Sequence, residues 1–399
     1  MLRTLEGNLI KMQNLKKNIV NTEKKSAVAI VKSNANLKKA ISDSLDLIDF
    51  KLVKKNVFIK PNLVIPAKPN SGIITDSAVV ASLVEVLREE YGAKEILVSD
   101  GTQIGCSIED CFELGGYKKV AEKHNLKLVD LNTVKRDKVP WKYGLIDLPT
   151  LLQEYCYVNM PKIKTHSQTT VTLSLKNQKG LLSVSDKKLF HKIGLHEPIA
   201  ELYHIVKPDL VLVDGLIGLE GDGPTTGGKS RPLNLIIAGT VALEVDQVCC
   251  QIMGISPEEV KHLRIATGLG NNGKTDIRGM SVAELNVKPF IRANEDLRKI
   301  GKVYYWRNAS ACTMCSESLD QAIKKTRRNP FLIIRYGTHI GYHVLFKRLD
   351  LLTGKDADIP QNHGEMCCIG NCVAPLAKKY NLKLARGCPP KPRDILKKL

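Results

Sequence analysis

Six of the eleven cysteines crowd into the stretch from Cys312 to Cys388, and they are the residues with the most chemistry to offer. Cys312-Thr-Met-Cys315 presents two thiolates from one turn, a spacing used for both zinc and iron-sulfur centres. Further on come Cys367-Cys368-Ile-Gly-Asn-Cys372 and Gly387-Cys388-Pro389-Pro390. Zinc sites commonly draw on two tight pairs, whereas here the last ligand stands alone before two prolines, which favours a [4Fe-4S] cluster over zinc. The expected ligand set is Cys312, Cys315, Cys372 and Cys388, with Cys368 as the substitute; the adjacent Cys367 and Cys368 cannot readily share one metal. Zinc is the lesser alternative, and thiols without a metal the third. No export signal is apparent at the N-terminus, so disulfides are not expected.

A second group of chemically capable residues gathers where apolar runs end. Phe58-Ile-Lys60-Pro-Asn62 closes one run and Asn159-Met-Pro-Lys162-Ile-Lys164-Thr-His166 another, with Ser174-Leu-Lys176-Asn177-Gln-Lys179-Gly180 close behind. Ligands of open α/β sheets bind beyond the carboxyl ends of the strands, so these cations and amides are expected to converge on an anionic group. Lys60, Asn62, Lys162, Lys176 and Asn177 are the expected substrate contacts, with Lys164 and His166 at the chemistry. The charge of the two preceding lysines is expected to keep the His166 imidazole neutral and able to handle a proton, although a structural role fits it equally. Glu220 sits in a glycine-rich stretch, Gly215 to Lys229, read as a loop at a strand end whose amides face an anion; Glu220 and Asp222 would repel phosphate there. Asp246, among Val245, Val248 and Cys249 in a helical pattern, is a site residue or a buried ion-pair partner. Glu220 or Asp246 would orient His166. His191 and His196 are read as core or surface residues. Gly268-Leu-Gly270-Asn-Asn-Gly273 matches GxGxxG, but no strand pattern precedes it, which argues against a dinucleotide fingerprint.

The elements that must position these groups follow from hydrophobic periodicity. From about residue 26 to 288, β-branched runs alternate with helix-period segments, the pattern of βαβ units on a mostly parallel sheet. Strands are expected at Val28 to Val31, Asn56 to Ile59, Glu95 to Val98, Leu126 to Asp130, Tyr155 to Met160, Leu210 to Val213 and Leu233 to Ile237. Helices are expected at Leu37 to Leu47, Asp76 to Glu90 with Asp76 as N-cap, Ile108 to His124, Pro198 to Val206, Ala242 to Met253 and Pro257 to Thr267. Beyond residue 290 the alternation fades. The expected organisation is therefore an N-terminal extension over 1–25, an α/β domain over 26–290 with a mainly parallel sheet and flanking helices, and a small cysteine-rich cluster-binding module over 291–399.

Lys60-Pro-Asn62, Asp100-Gly101, Pro161-Lys162-Ile-Lys164-Thr-His166, Ser174 to Gly180 and Asp214-Gly-Leu-Ile-Gly218-Leu-Glu220-Gly221, in that order, resemble the domain-of-unknown-function 362 family over about residues 55 to 275. The resemblance implies an iron-sulfur centre protein of uncharacterised activity. Members commonly carry a ferredoxin-like CxxCxxC tail; this chain has instead a Gly-Asn-Cys step and a terminal Gly-Cys-Pro-Pro, so a two-cluster assignment does not carry over.

The chain has 399 residues and a net charge of +19, with 21 basic against 9 acidic residues from Ile291 to the C-terminus. Such a field attracts acidic partners, either a small anionic substrate or an acidic electron-transfer protein. Nucleic acid is disfavoured, because no finger spacing or aromatic-interleaved basic motif accompanies the charge. No apolar run reaches the roughly 20 residues of a membrane span. These readings converge on a cytoplasmic iron-sulfur protein, a redox enzyme acting on an anionic substrate. The alternatives are an electron carrier or cluster carrier for a protein partner, and a zinc-stapled ligand-binding protein. Whether the chain is an enzyme, and its oligomeric state, stay open at this level.

Overall fold

The computed structural model describes residues 26–399 apart from 34–35, 226, 270–274, 294–296, 308–314, 316–317, 320, 324–325 and 327–328, and describes 297–300, 307 and 333 by backbone alone. The N-terminal extension, Cys312 and most of the Gly268–Gly273 motif lie outside the described residues.

In chain order the strands are β1 (Ala27–Lys32), β2 (Val57–Pro61), β3 (Ile96–Val98), β4 (Lys127–Leu128), β5 (Arg136–Trp141), β6 (Gly144–Pro149), β7 (Cys156–Met160), β8 (Lys162–His166), β9 (Thr170–Thr172), β10 (Leu210–Asp222), β11 (Gly227–Gly239), β12 (Asp276–Gly279), β13 (Leu297–Ile300), β14 (Val303–Arg307), β15 (Leu349–Thr353), β16 (Glu365–Ile369) and β17 (Lys383–Ala385). The large sheet runs β12-β1-β11-β10-β7-β2-β3-β4, with β8 and β9 attached beside β10. It is mostly parallel; the exceptions are β11, running against both β1 and β10, and β9, running against β8. Alternate residues of the central strands enter opposite cores: Val211 and Val213 pack on one face, Leu210 and Leu212 on the other. Burial on both faces is why these strands read as unbroken apolar runs.

Each expected strand and helix of this region has a counterpart. Leu37–Leu47 is helical, and Ser77–Glu89 is capped by Asp76, whose carboxylate accepts the Ala78 amide at 2.9 Å. Three segments depart from expectation. The helix read over Pro257 to Thr267 is a 3₁₀ turn, Pro257–Glu259, and a helix, Lys261–Gly268, separated by an extended Val260. The helix read over Ile108 to His124 is two helices, Ile108–Leu114 and Tyr117–His124, because Gly116 takes a left-handed φ of 77° that a continuing helix excludes. The glycine-rich stretch from Gly215 to Lys229 is not an open loop. Most of it belongs to the long β10–β11 hairpin, paired out to Asp222 and Gly227.

Beyond residue 290 the chain is more ordered than its pattern suggests. Strands β13 to β17 form a second sheet in sequence order, parallel after the first pair. These strands span three to five residues, too short to establish a visible period. No helix among the described residues is long and apolar enough to cross a membrane.

Candidate functional site

A cavity of about 110 Å³ opens beyond the carboxyl ends of β2, β3 and β8. Asn62 and Val64 follow β2, Asp100 to Ile104 follow β3, and His166 ends β8. Most of the remaining wall comes from the helical turns around Ser174–Leu181, with Lys176, Asn177, Lys179 and Gly180, and from the helix Val184–Ile193, with Lys187 and His191; Gln168, Thr172, Leu195 and Pro224 complete it.

Beneath this cavity lies a buried polar floor. Lys60 Nζ meets Asp100 Oδ1 at 2.6 Å, with both side chains essentially excluded from solvent. The second carboxylate oxygen of Asp100 accepts the Leu63 amide at 2.7 Å. Burial lowers the Lys60 ammonium pKa, and Asp100 opposes that shift. Gly180 lies directly on this pair: a Cβ there would stand 2.2 Å from Asp100 Oδ1 and 2.6 Å from Lys60 Nζ. Glycine is therefore required by close approach.

A directional chain of hydrogen bonds runs alongside. Lys164 Nζ donates to Asn62 Oδ1 at 2.7 Å, Asn62 donates to Asn177 at 2.9 Å, Asn177 to Asn159 at 2.8 Å, and Asn159 to the Ser174 carbonyl at 3.0 Å. Each donor polarises the next, and a fully satisfied network of this kind fixes the strand ends relative to the Ser174–Asn177 turn.

The structure thus divides the residues expected to act together. His166, Asn62, Lys176 and Asn177 reach the cavity wall. Lys60 and Lys164 lie behind it, committed to Asp100 and to Asn62 and the Ile73 carbonyl. Lys162 is elsewhere, in a buried pair with Asp214 at 2.7 Å. Glu220 binds Arg231 at 2.8 Å and the Ile291 amide at 3.2 Å, on the hairpin. Asp246 accepts the Ser174 and Leu175 amides and the Ser174 hydroxyl, so it anchors the Ser174–Asn177 turn and does not line the cavity. Burial pushes its carboxyl up to about 7 against those donors.

Two cavity residues escaped the sequence reading. Lys187 is buried, donates to the Thr102 carbonyl at 3.0 Å, and has its pKa lowered to about 8, chiefly by burial. His191, read as core or surface, lines the cavity with its Nε2 2.9 Å from Lys179 Nζ. Burial, then the charges of Lys179 and Lys176, push it down to about 3. A neutral ring that accepts from an ammonium at Nε2 carries its proton on Nδ1, and that nitrogen is buried with no hydrogen-bond partner. Gln103 Oε1, also in the wall, is likewise buried without one. Neither carried a sequence signal: Lys187 bonds Thr102, 85 residues before it, and the His191 contact with Lys179, 12 residues before it, depends on how the Ser174–Leu181 turns pack on the helix. For His166, Nδ1 accepts the Gln168 amide at 3.0 Å and the Thr169 amide at 3.4 Å, which leaves the ring proton to Nε2.

The expected metal ligands are partly assembled. A Cβ on Gly370 would stand 2.8 Å from Cys315 Sγ and 3.6 Å from Cys372 Sγ, so the two sulfurs converge on a space kept open by the missing side chain. The Gly370 to Cys372 turn is tied to the Gly387-Cys388 turn by Asn371 N to Gly387 O and Gly387 N to Asn371 Oδ1, both 2.9 Å. Cys315 is buried, while Cys372 and Cys388 are exposed. Cys367 and Cys368 point to opposite faces of β16 into separate apolar clusters, and burial pushes their thiols up to about 12 and 11. Their positions explain why neighbours on a strand cannot share one metal. A separate group, His339, His343 and Glu365, brings possible ligand atoms within 4.8 Å of one another. Glu365 there is already held by Lys383 at 2.6 Å and Lys347 at 3.2 Å.

Two comparisons with known proteins bear on this arrangement. The chain is 25% identical over 223 residues to the thylakoid-associated protein sll1697 of Synechocystis sp., covering 54% of this chain and 68% of that protein. The family model described as domain of unknown function (DUF362) matches residues 57–251, the span that supplies the strand ends, the buried lysines and the whole cavity wall. Through residues 57–251, this chain belongs to the DUF362 family.

Proposed function

We propose that the cavity holds a small anionic substrate and that the cysteine-rich region holds a [4Fe-4S] cluster, the two together making a cytoplasmic redox enzyme. The observation that carries the reading is the charge of the wall: Lys176, Lys179 and Lys187 face a cavity whose one carboxylate, Asp100, is paired with Lys60. Three ammonium groups in a partly desolvated cleft bind carboxylate, sulfate or phosphate oxygens strongly. The partnerless His191 Nδ1 adds a donor, and Gln103 Oε1 adds an acceptor suited to a ligand hydroxyl. An anion carrying a hydroxyl, such as a hydroxy acid, satisfies both.

Cys315, Cys372 and Cys388, with Cys312, are the residues that would hold the cluster, and the space at Gly370 between two sulfurs supports that fit. When bound, a [4Fe-4S] cluster supplies one-electron transfer from an external reductant. The chain's own part is to fix the anion between Lys176, Lys179 and Lys187, and to hold or move a proton at His166 Nε2. Asn62 and Asn177, locked by the amide chain from Lys164, keep the cavity floor rigid. The exposure of Cys372 and Cys388 favours a second reading, in which electrons or a cluster pass to an acidic protein partner. A thylakoid-associated location, as in the name of the Synechocystis relative, is the alternative to a cytoplasmic one.

The test combines metal analysis with ligand binding on anaerobically purified protein. Iron and acid-labile sulfide in equal amounts, near four each per chain, and calorimetric binding of malate or sulfate that Lys179→Ala weakens about tenfold are expected. Zinc without sulfide would remove the redox half of the proposal. Binding unchanged by Lys179→Ala would remove the substrate half.

A further inference from the structure

The helical segment from Pro330 through Leu345, π-helical over Ile333–Gly337, is turned the wrong way for a protein surrounded by water. Beyond Pro330, its exposed positions among the described side chains are Phe331, Ile334, Arg335, Thr338, His339, Tyr342, Leu345 and, just past its end, Phe346. That spacing of i, i+3, i+4, i+7, i+8 and i+11 is the one a helix ordinarily reserves for its core-facing stripe. Here Phe331, Ile334, Leu345 and Phe346 are 65 to 74% exposed and Tyr342 is 51% exposed, while Tyr336 and Ile340 pack inward and His343 is buried. Five large side chains present roughly 500 Å² of apolar surface, at the upper end of what a monomer leaves bare.

Charge identifies the occupant. From Gln321 to Leu349 there is no Asp or Glu and there are seven Lys and Arg residues. Arg335 stands on the apolar face itself, and Lys347 is exposed just beyond Phe346, though it also reaches Glu365 at 3.2 Å. A second copy packed symmetrically on this face would set Arg335 against its like with no acid in the segment to pair it. An anionic bilayer offers both complements at once, hydrocarbon for the aromatic and aliphatic groups and headgroup phosphate for the basic ones.

We propose that the outward face of the helix from Pro330 to Leu345 lays the protein on anionic lipid, in the interface plane and without spanning the bilayer. This is independent of the substrate cavity and of the cluster.

The test is co-sedimentation of the full-length protein with vesicles of phosphatidylcholine alone or mixed with phosphatidylglycerol. The wild type is expected to pellet with the mixed vesicles, weakly with the neutral ones, and to be released by salt. The double substitution Leu345→Ser and Phe346→Ser is expected to lower vesicle affinity at least about tenfold, with the circular dichroism spectrum unchanged. Arg335→Gln, a milder change, is expected to lower binding about fivefold to mixed vesicles alone. Failure of the wild type to pellet with mixed vesicles at low salt overturns the proposal in favour of a protein partner. Equal binding by the double variant overturns it in favour of diffuse charge attraction. A wild-type dimer on size exclusion that the double variant dissolves overturns it in favour of a second copy.

Discussion

Replacing Asp100 by Asn tests whether the Lys60–Asp100 pair is the keystone of the cavity floor. Asp100 accepts three donors, Lys60 Nζ at 2.6 Å, the Leu63 amide at 2.7 Å and the Gly101 amide at 2.8 Å. An Asn can still accept through one oxygen but turns an NH₂ toward the remaining donors. Lys60, with no solvent exposure, then keeps the Pro61 carbonyl at 3.3 Å as its acceptor. Leaving one buried charge without its counter-ion costs about 3–5 kcal/mol. Lys60→Met leaves Asp100 with its two amide donors and is expected to cost somewhat less. The double variant, which leaves no net charge in the floor, is expected to regain at least about 2 kcal/mol relative to the sum of the singles. The assay is urea unfolding followed at Trp141, which stacks on Phe190 of the helix carrying Lys187, in a Trp306→Phe background that removes the second of the two tryptophans. A loss below about 1 kcal/mol for Asp100→Asn, or strict additivity in the cycle, would refute the reasoning, because a desolvated pair of this geometry must be coupled.

Other outcomes follow from the same geometry. Gly370→Ala puts a Cβ 2.8 Å from Cys315 Sγ, at a φ of 100° that side chains avoid; iron and sulfide content is expected to fall while unfolding at Trp141 is unchanged, and full metal loading would contradict the cradle. Lys187 titrates at about 8, so it is charged below that pH and neutral above it. Sulfate affinity is accordingly expected to fall as pH rises past about 8, and Lys187→Met is expected to remove that step in calorimetry. His262 is fully buried, stacks on His196 and is pushed down to about 3, chiefly by burial. The unfolded chain binds this proton from about pH 6.5 downward and the folded one does not, so stability is complete above 6.5 and declines toward pH 3 by about 1.4 kcal/mol per pH unit for this group. His262→Leu is expected to flatten the urea-midpoint profile between pH 6.5 and 4, and an unchanged slope would show that the ring is not held neutral.

Sequence alone determined what depends on neighbours along the chain. The Leu37–Leu47 helix, the Asp76 cap and the alternation that makes a mostly parallel sheet are encoded by local periodicity and turn chemistry. The ordered lysine and glycine motifs carried family membership, and cysteine spacing alone picks out Cys312, Cys315, Cys372 and Cys388 as an expected ligand set, of which the described residues bring the Cys315 and Cys372 sulfurs near Gly370. Only the tertiary structure decided which lysines are buried against a fixed partner. Lys60, Lys162 and Lys164 have nothing in the local sequence to mark them, and their partners Asp100, Asp214 and Asn62 stand 40, 52 and 102 residues away. Such pairing has no local signal. Desolvation is likewise a property of the packed interior, and it separates buried Lys187 from solvated lysines and turns Asp246 into an anchor for a turn 71 and 72 residues before it. The Pro330–Leu345 helix makes the converse case, because a hydrophobic period says that a face will be covered, and only the packing of its other face shows which large side chains stay exposed among the described residues.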